Sequence, residues 1–468
     1  MKSAPQASSL ISFDRLAGLL SDGKKKAAEC SKPVLVSSTE RIKCDTDPVD
    51  LFAAATCTYN ECNFWGMPFD RSWTVGAGSE ARIMVEGHDR FQRAKSSLRG
   101  ILQSAIIDGN SGTGPIFIGG FRFDHVSQAN GNWSGFSDGL LSLPRIMVSY
   151  KPPDLLLTLN AFVKSGTDVE SLQAESLTSA SSLLEKQSPE PWEKVAEIVE
   201  ETSRDQWRAG VGQALQAVKE GRLRKVTLAR MARAQAQSPI PPEAVLRSLV
   251  EHYPQCRIFA IRRGDACFVG ASPEELVSLH DSAVTSTCLA GSAPRGFSEY
   301  EDSHFSQGLL ESAKEREEHE IVVDWVSDRM QGLCEQLDWN KPPQVLRLGN
   351  VQHLATKFSG TSKKNTNVLD FVNALHPTPA VGGIPLELAL ELIRSVEGFD
   401  RGWYTGPVGW VDKNGFGEFS IALRCALIRG KDAFLYAGAG IVSASDADRE
   451  YEETTLKLKP LLTALGVR

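Results

Sequence analysis

The amino-acid sequence predicts an α+β protein, with antiparallel strands and long flanking helices rather than a doubly wound parallel sheet. Three observations lead there. Apolar runs at 406–411, 418–427 and 433–437 are separated by turns bearing Gly and Asp, the pattern of antiparallel neighbours. A helical stretch covers roughly 300–337, and further helices fall at about 204–220 and after Pro242. No fixed-period repeat is present, which removes solenoids and propellers.

In chain order, apolar residues at helical spacing mark 11–20, and strand-like runs follow at 33–38, 63–75 and 115–123. A longer pair comes at 140–150 and 155–163. The stretch 165–191 is rich in Ser, Glu and Thr without a sustained apolar period, so it reads as a linker or surface segment. The expected organisation is an N-terminal α+β region over 1–164, a linker or surface segment over 165–202, and a C-terminal region over 203–468 joined with the N-terminal part in one fold. Within the last region the helix at 204–220 leads through Gly221 into a strand at 225–232. Strands at 257–261, 266–270, 275–279 and 284–289 then precede the long helix.

Composition narrows the function classes. A net charge of −7 disfavours a nucleic-acid surface, because neutralising phosphates needs clustered Lys and Arg, and the run Lys24, Lys25, Lys26 is too short to supply it. No stretch of about eighteen apolar residues is available to cross a bilayer, and the first thirty residues contain no continuous apolar segment. The expected location is therefore the cytoplasm, with no membrane partner. The nine cysteines show no CxxC spacing, which argues for reduced packing residues over a zinc site or a disulfide framework.

Two carboxylate pairs carry the strongest chemical signal. Glu315 with Glu318, and Glu450 with Glu453, stand three residues apart, so on a helix each pair aims two acids at one spot; Lys457 follows Glu453 at the next turn. Hard oxygen ligands on rigid helices suit Mg²⁺, while an acid-rich solvated face has the same spacing. Lys225 opens an alternating strand and shares a face with Thr227 and Ala229; it reads either as a strand-end lysine reaching solvent or, enclosed, as a base. Glu274 closes the turn Gly270-Ala271-Ser272-Pro273-Glu274, and Gly291, next to Ser292, permits close backbone approach to a ligand or simply a bend. Gly438-Ala439-Gly440 precede a C-terminal helix whose start is marked by Ser445 and Asp448, and backbone N–H groups at such a turn can cradle an anion. Arg424, amid an apolar strand, needs a partner, either a ligand carboxylate or a structural counter-ion.

In this order the segments resemble the chorismate-utilising enzymes of menaquinone, siderophore and tryptophan biosynthesis, and within them the isochorismate synthase branch. The motifs are Lys225-Val226-Thr227-Leu228-Ala229-Arg230, Gly270 to Glu274, Leu289-Ala290-Gly291-Ser292, Glu318-His319, Gln352-His353-Leu354, the run from Leu375 to Gly383, Arg401-Gly402-Trp403-Tyr404, Gly438 to Val442, and Glu450 to Thr454 with Lys457. Gly119-Gly120-Phe121-Arg122-Phe123-Asp124 adds a weaker N-terminal match. The resemblance implies a chorismate-binding-enzyme fold, an antiparallel β-sandwich-like core flanked by helices, with the catalytic site in a deep cleft. It further implies Mg²⁺ held by Glu318 and Glu453 with Glu315 and Glu450 beside them. Gly291, Ser292, His353, Tyr404, Arg424, Gly438, Ala439, Gly440 and Lys457 are implied to bind substrate, Lys225 to act as base and Glu274 as acid.

Within such a family Lys225 points to water rather than ammonia as nucleophile, so no glutamine amidotransferase subunit is expected. Ala290 agrees, since aminating relatives often carry a lysine there. Ala380 in the run 379–383 replaces a threonine of salicylate-forming relatives, which favours isochorismate as end product. Salicylate synthase and a non-catalytic chorismate-binding module are the competing readings. The resemblance implies a monomer, and Thr227, where valine is more usual, is expected to hydrogen-bond the Lys225 ammonium or the water.

Overall fold

Strands with side chains on two faces must bury at least one of them against another layer, and here two sheets supply that layer for each other. The computed structural model describes residues 13, 15–109, 112–126, 131–185, 192 and 196–467. Among them the strands form a 13-stranded and a 10-stranded sheet. Pairing is antiparallel through most of each sheet, as between Lys225–Ala236 and Asp432–Ile441 or between Ala283–Pro294 and Val351–Ser362, whereas Val34–Arg41 runs parallel to Ile106–Asp108. The space between the sheets is aromatic: Trp65, Phe259 and Phe268 of the large sheet meet Trp410 of the small one, with Trp133, Phe136 and Trp403 from connecting segments. Each such ring buries roughly 150–250 Å², about 4–6 kcal/mol of gross transfer free energy. The outer faces are covered by helices, so the expected sandwich-like α+β architecture is the one found.

Neither sheet respects the boundary near residue 164. Glu61–Met67 pairs with Arg257–Arg263 in the large sheet, and Ile116–Phe121 pairs with Pro407–Asp412 in the small one. Joining of the N- and C-terminal regions is thus a matter of shared backbone hydrogen bonds.

Several expected elements differ in detail. The segment 165–202 is not a plain linker: Val169–Leu184 is a helix capped by the Asp168 side chain, with Ala180 and Leu183 in the core, and Ala196–Glu201 adds an edge strand to Lys225–Ala236. The apolar positions were too few to show a period, and the cap was the legible signal. Residues 186–191 and 193–195 of that segment, and 11, 12 and 14 of the first apolar stretch, lie outside the described residues; the N-terminal helix is Leu16–Cys30. The runs 63–75 and 140–150 each divide into two strands. The long helix of 300–337 is two helices, Glu299–Glu311 and Ala313–Gln331, followed by the strand Cys334–Trp339. Ser312 makes the break: its backbone is extended and its hydroxyl accepts a hydrogen bond from the Glu315 N–H, starting a new helix.

Candidate active site

Two chain segments change sheets side by side. The strand Ala266–Ser272 of the large sheet passes through Pro273 and Glu274 into Glu275–His280 of the small one. Gly417–Ile421 of the small sheet passes through Ala422, Leu423 and Arg424 into Cys425–Arg429 of the large one. The crossings are tied together, Ile421 N–H donating to the Glu274 carbonyl and Ala271 N–H to the Arg424 carbonyl, both at 3.1 Å. Arg424 is therefore not inside a continuous strand, as 418–427 suggested; it sits at the corner with φ +47°, a left-handed conformation that takes it out of the ladder. Both side chains line a cleft of about 670 Å³.

Glu274 is 4% exposed. Burial raises its carboxyl to about 8, against the opposing pull of the Lys225 ammonium and, further off, Lys457. At neutral pH it is an acid with a proton to give.

On the neighbouring crossing, Arg424 Nη2 lies 3.1 Å from His353 Nε2. A guanidinium can only donate, so Nε2 accepts and the ring proton sits on Nδ1, which lies 3.1 Å from the Gly291 carbonyl and 3.1 Å from the Ser292 hydroxyl. Burial and then the Arg424 charge push His353 down to about 3, keeping it neutral. Arg424 Nη1 is buried with no hydrogen-bond partner, and the residue lines the cleft. Gly291 holds φ +77° at a bulge in its strand, where its missing Cβ lets Glu315 approach; Glu315 accepts a hydrogen bond from the Ser292 N–H at 3.1 Å. Tyr404 lines the cleft, stacks on Tyr436 at 5.1 Å and sets its hydroxyl beside Gly438.

Gly438-Ala439-Gly440 is not the expected anion-cradling turn. It lies inside the strand Asp432–Ile441, with Gly438 opposite Ala229 and Gly440 opposite Thr227. Alternation points Gly438 and Gly440 to the cleft and Ala439 to the helix-side core, so Ala439 is absent from the cleft wall. The glycines serve by having no side chain: a Cβ on Gly440 would run into the Glu318 carboxylate and the Lys225 stem. Nor do Ser445 and Asp448 cap the C-terminal helix Ala447–Leu465; Asp446 does, accepting from the Arg449 N–H at 3.0 Å.

Lys225 is fully buried behind the cleft wall, with Nζ 3.0 Å from Glu318 Oε1 and no hydrogen bond of good geometry. Thr227 does not bond it, because side chains two residues apart on a strand stand roughly 7 Å apart. Its hydroxyl donates to the Ala380 carbonyl at 3.0 Å, holding the run 377–383 against the strand. Arg401 strengthens that seam, donating to the Thr227 and Val381 carbonyls and pairing with the buried Glu397.

The four carboxylates converge between the helices Ala313–Gln331 and Ala447–Leu465. Glu318 and Glu453 line the cleft, while Glu315, Glu450 and Glu453 line an adjoining vestibule that shares Ser292 with it. Burial raises Glu450 to about 7, with repulsion from Glu453 next in size; burial also raises Glu315, to which Glu318 and Glu453 add. Glu453 is lowered, the Lys457 ammonium at 2.6 Å overcoming the cost of burial. Among the described residues no group of three or more His, Cys, Asp or Glu is arranged to hold a metal ion. The acids are held instead by three lysines: Lys225 on Glu318, Lys457 on Glu453, and Lys314 on Glu450 at 2.7 Å and Glu315 at 3.3 Å. Acids brought together in this way, with Glu453 adding its repulsion to the burial that raises Glu315 and Glu450, fit a divalent cation. Lys314 was missed by sequence reasoning, since a lysine beside acids on a helix looks like an ordinary solvated pair.

A family model described as chorismate binding enzyme matches residues 22–466. The chain belongs to the chorismate-binding enzyme family. Isochorismate synthase MenF of Bacillus subtilis is 34% identical over 451 residues, covering 94% of this chain and 95% of the relative. The salicylate biosynthesis isochorismate synthase of Pseudomonas aeruginosa is 35% identical over 444 residues, covering 94% and 92%. Among solved structures, the menaquinone-specific isochorismate synthase MenF of Escherichia coli superimposes with a TM-score of 0.78 at 25% identity, over 95% of this chain and 99% of that one. Family membership extends through the N-terminal half, where the sequence motifs were thin. No helix among the described residues is long and apolar enough to cross a membrane.

Proposed function

We propose that the protein is an isochorismate synthase, an isomerase that interconverts chorismate and isochorismate. Water adds at ring C2 while the C4 hydroxyl leaves, and the enolpyruvyl ether stays intact. The observation that carries this reading is Glu274, a carboxyl kept protonated by burial on the wall of a cleft that Arg424, with a buried unpaired nitrogen, also lines. The full-length likeness to isochorismate synthases supports it.

Arg424 Nη1 binds a substrate carboxylate, and His353 holds the guanidinium in place from behind. Tyr404, Gly438, Gly440, Gly291, Ser292 and Lys457 shape the rest of the binding surface, the glycines by admitting the ring close to backbone. Glu274 gives its proton to the departing C4 oxygen, which leaves as water. Lys225, as the neutral amine left when its ammonium proton is shed and the Glu318 carboxylate turns from it, takes the proton from the water that attacks C2. Glu318 and Glu453, with Glu315 and Glu450 beside them, would hold Mg²⁺, whose charge neutralises and orients the ring carboxylate. In the reverse direction the two groups exchange roles.

Incubation of the purified protein with chorismate and Mg²⁺, followed by product chromatography, tests the reading. Isochorismate without pyruvate is expected. Salicylate together with pyruvate would replace it with salicylate synthase, and unchanged chorismate with tight binding would indicate a non-catalytic module.

A further inference from the structure

Lys314 stands at the centre of the acid cluster without belonging to the reaction described above. It is the second residue of the helix Ala313–Gln331, placed there by the Ser312 cap, and it reaches across to the neighbouring helix. Its Nζ donates to Glu450 Oε1 at 2.7 Å and lies 3.3 Å from Glu315 Oε1. Glu450 is 2% exposed and the Lys314 side chain 24%, so this is a partly buried bridge between two helices rather than a surface pair. All four acids of the cluster have a lysine, directly or through a neighbour, but Lys225 and Lys457 each hold one acid and face the cleft strand or the Gly438 carbonyl. Lys314 alone spans one acid from each helix.

We infer that Lys314 is a built-in counter-cation that holds Glu315 and Glu450 together when no divalent ion is bound, and that Mg²⁺ must displace it from them. The inference rests on the Mg²⁺ site given under the proposed function. The physical ground is simple. Four carboxylates in one enclosed space repel, and a cation between the helices relieves that repulsion. A lysine ammonium and a divalent ion are alternative solutions to the same electrostatic problem, so each weakens the need for the other. Lys314 is therefore a positioning residue that keeps the empty site assembled and limits how tightly the metal is held.

Titration calorimetry of Mg²⁺ into the full chain at pH 8, without substrate, tests this, alongside thermal melting with and without the metal. Lys314→Met is expected to bind Mg²⁺ about tenfold more tightly than the parent, to melt several degrees lower without metal, and to recover most of that loss at saturating Mg²⁺. Lys314→Arg keeps the charge and should stay within about threefold of the parent affinity. A purely structural lysine predicts the opposite sign, weaker binding in Lys314→Met, and that result, like unchanged affinity, overturns the inference. Should Lys314→Met not fold, Lys314→Gln serves with the same expected direction. Glu453→Gln is the control for the site itself: if the parent binds no Mg²⁺, or binds it as well as Glu453→Gln does, the metal reading fails rather than the role of Lys314.

Discussion

Glu274 can act as an acid only if it keeps its proton, and the fold arranges this by burial instead of by a hydrogen-bonded carboxylate partner. The sign of the accompanying stability effect follows directly. The folded carboxyl, near 8, binds its proton more tightly than the unfolded one near 4.5, so this group's contribution is full below about 4.5 and is lost as pH rises through about 8. Glu274→Gln is neutral at every pH; it should melt a few degrees above the parent at pH 8.5, and the gap should close by pH 5. Equal melting at both values would remove the raised acid. The same variant, and Lys225→Ala, should each lower kcat by about 10²–10⁴-fold, the usual span for general acid–base groups, while chorismate Kd changes less than about tenfold. In the parent, kcat should fall as pH passes about 8 and Glu274 loses its proton.

The strand Lys225–Ala236 and the helix Ala447–Leu465 carry the proposed base and half of the acid cluster, and one arginine locks them together. Arg230, 1% exposed, donates from Nε to Thr454 at 2.7 Å and from Nη2 to Thr455 at 2.6 Å, and its guanidinium lies 4.0 Å from the Tyr451 ring centre. These partners occupy the turn between Glu450 and Lys457. Arg230→Ala removes the hydrogen bonds, the cation–π contact and the packing of a buried stem, and should cost about 2–4 kcal/mol in urea unfolding. A loss below about 0.5 kcal/mol would mean the helix is placed by its apolar contacts alone. The same element scale explains Gly440: the helix can bring Glu318 against the strand because position 440 has no side chain to resist it.

At the scale of the molecule, the sheets are built from both ends of the chain, and the cleft lies where two strands cross between them. Removing residues 1–202 would strip the partners from Arg257–Arg263 and Pro407–Asp412, delete Trp65 and Trp133 from the aromatic layer and uncover Phe259, Phe268, Trp403 and Trp410. The fragment 203–468, which contains every proposed site residue, should show no cooperative unfolding transition in calorimetry. The intact chain should show one. A sharp transition in the fragment would establish a separable catalytic unit.

Residue identity and short-range spacing determined much of this before any coordinates. Glu315 and Glu318, Glu450 and Glu453, Lys225, Glu274 and Arg424 were legible because helix and strand periodicities translate position into direction. Those periodicities end at the element boundary. They placed Arg424 in a strand and Gly438 to Gly440 in a turn, whereas the sheet crossing makes a corner of the first and the ladder makes a flat wall of the second. The bridge from Lys314 to Glu450 spans 136 residues, and the sealing of Lys225 behind Glu318 spans 93. Contacts of that kind, and the burial that raises Glu274, depend on which surfaces meet in space, a property of the packed chain that no local pattern encodes.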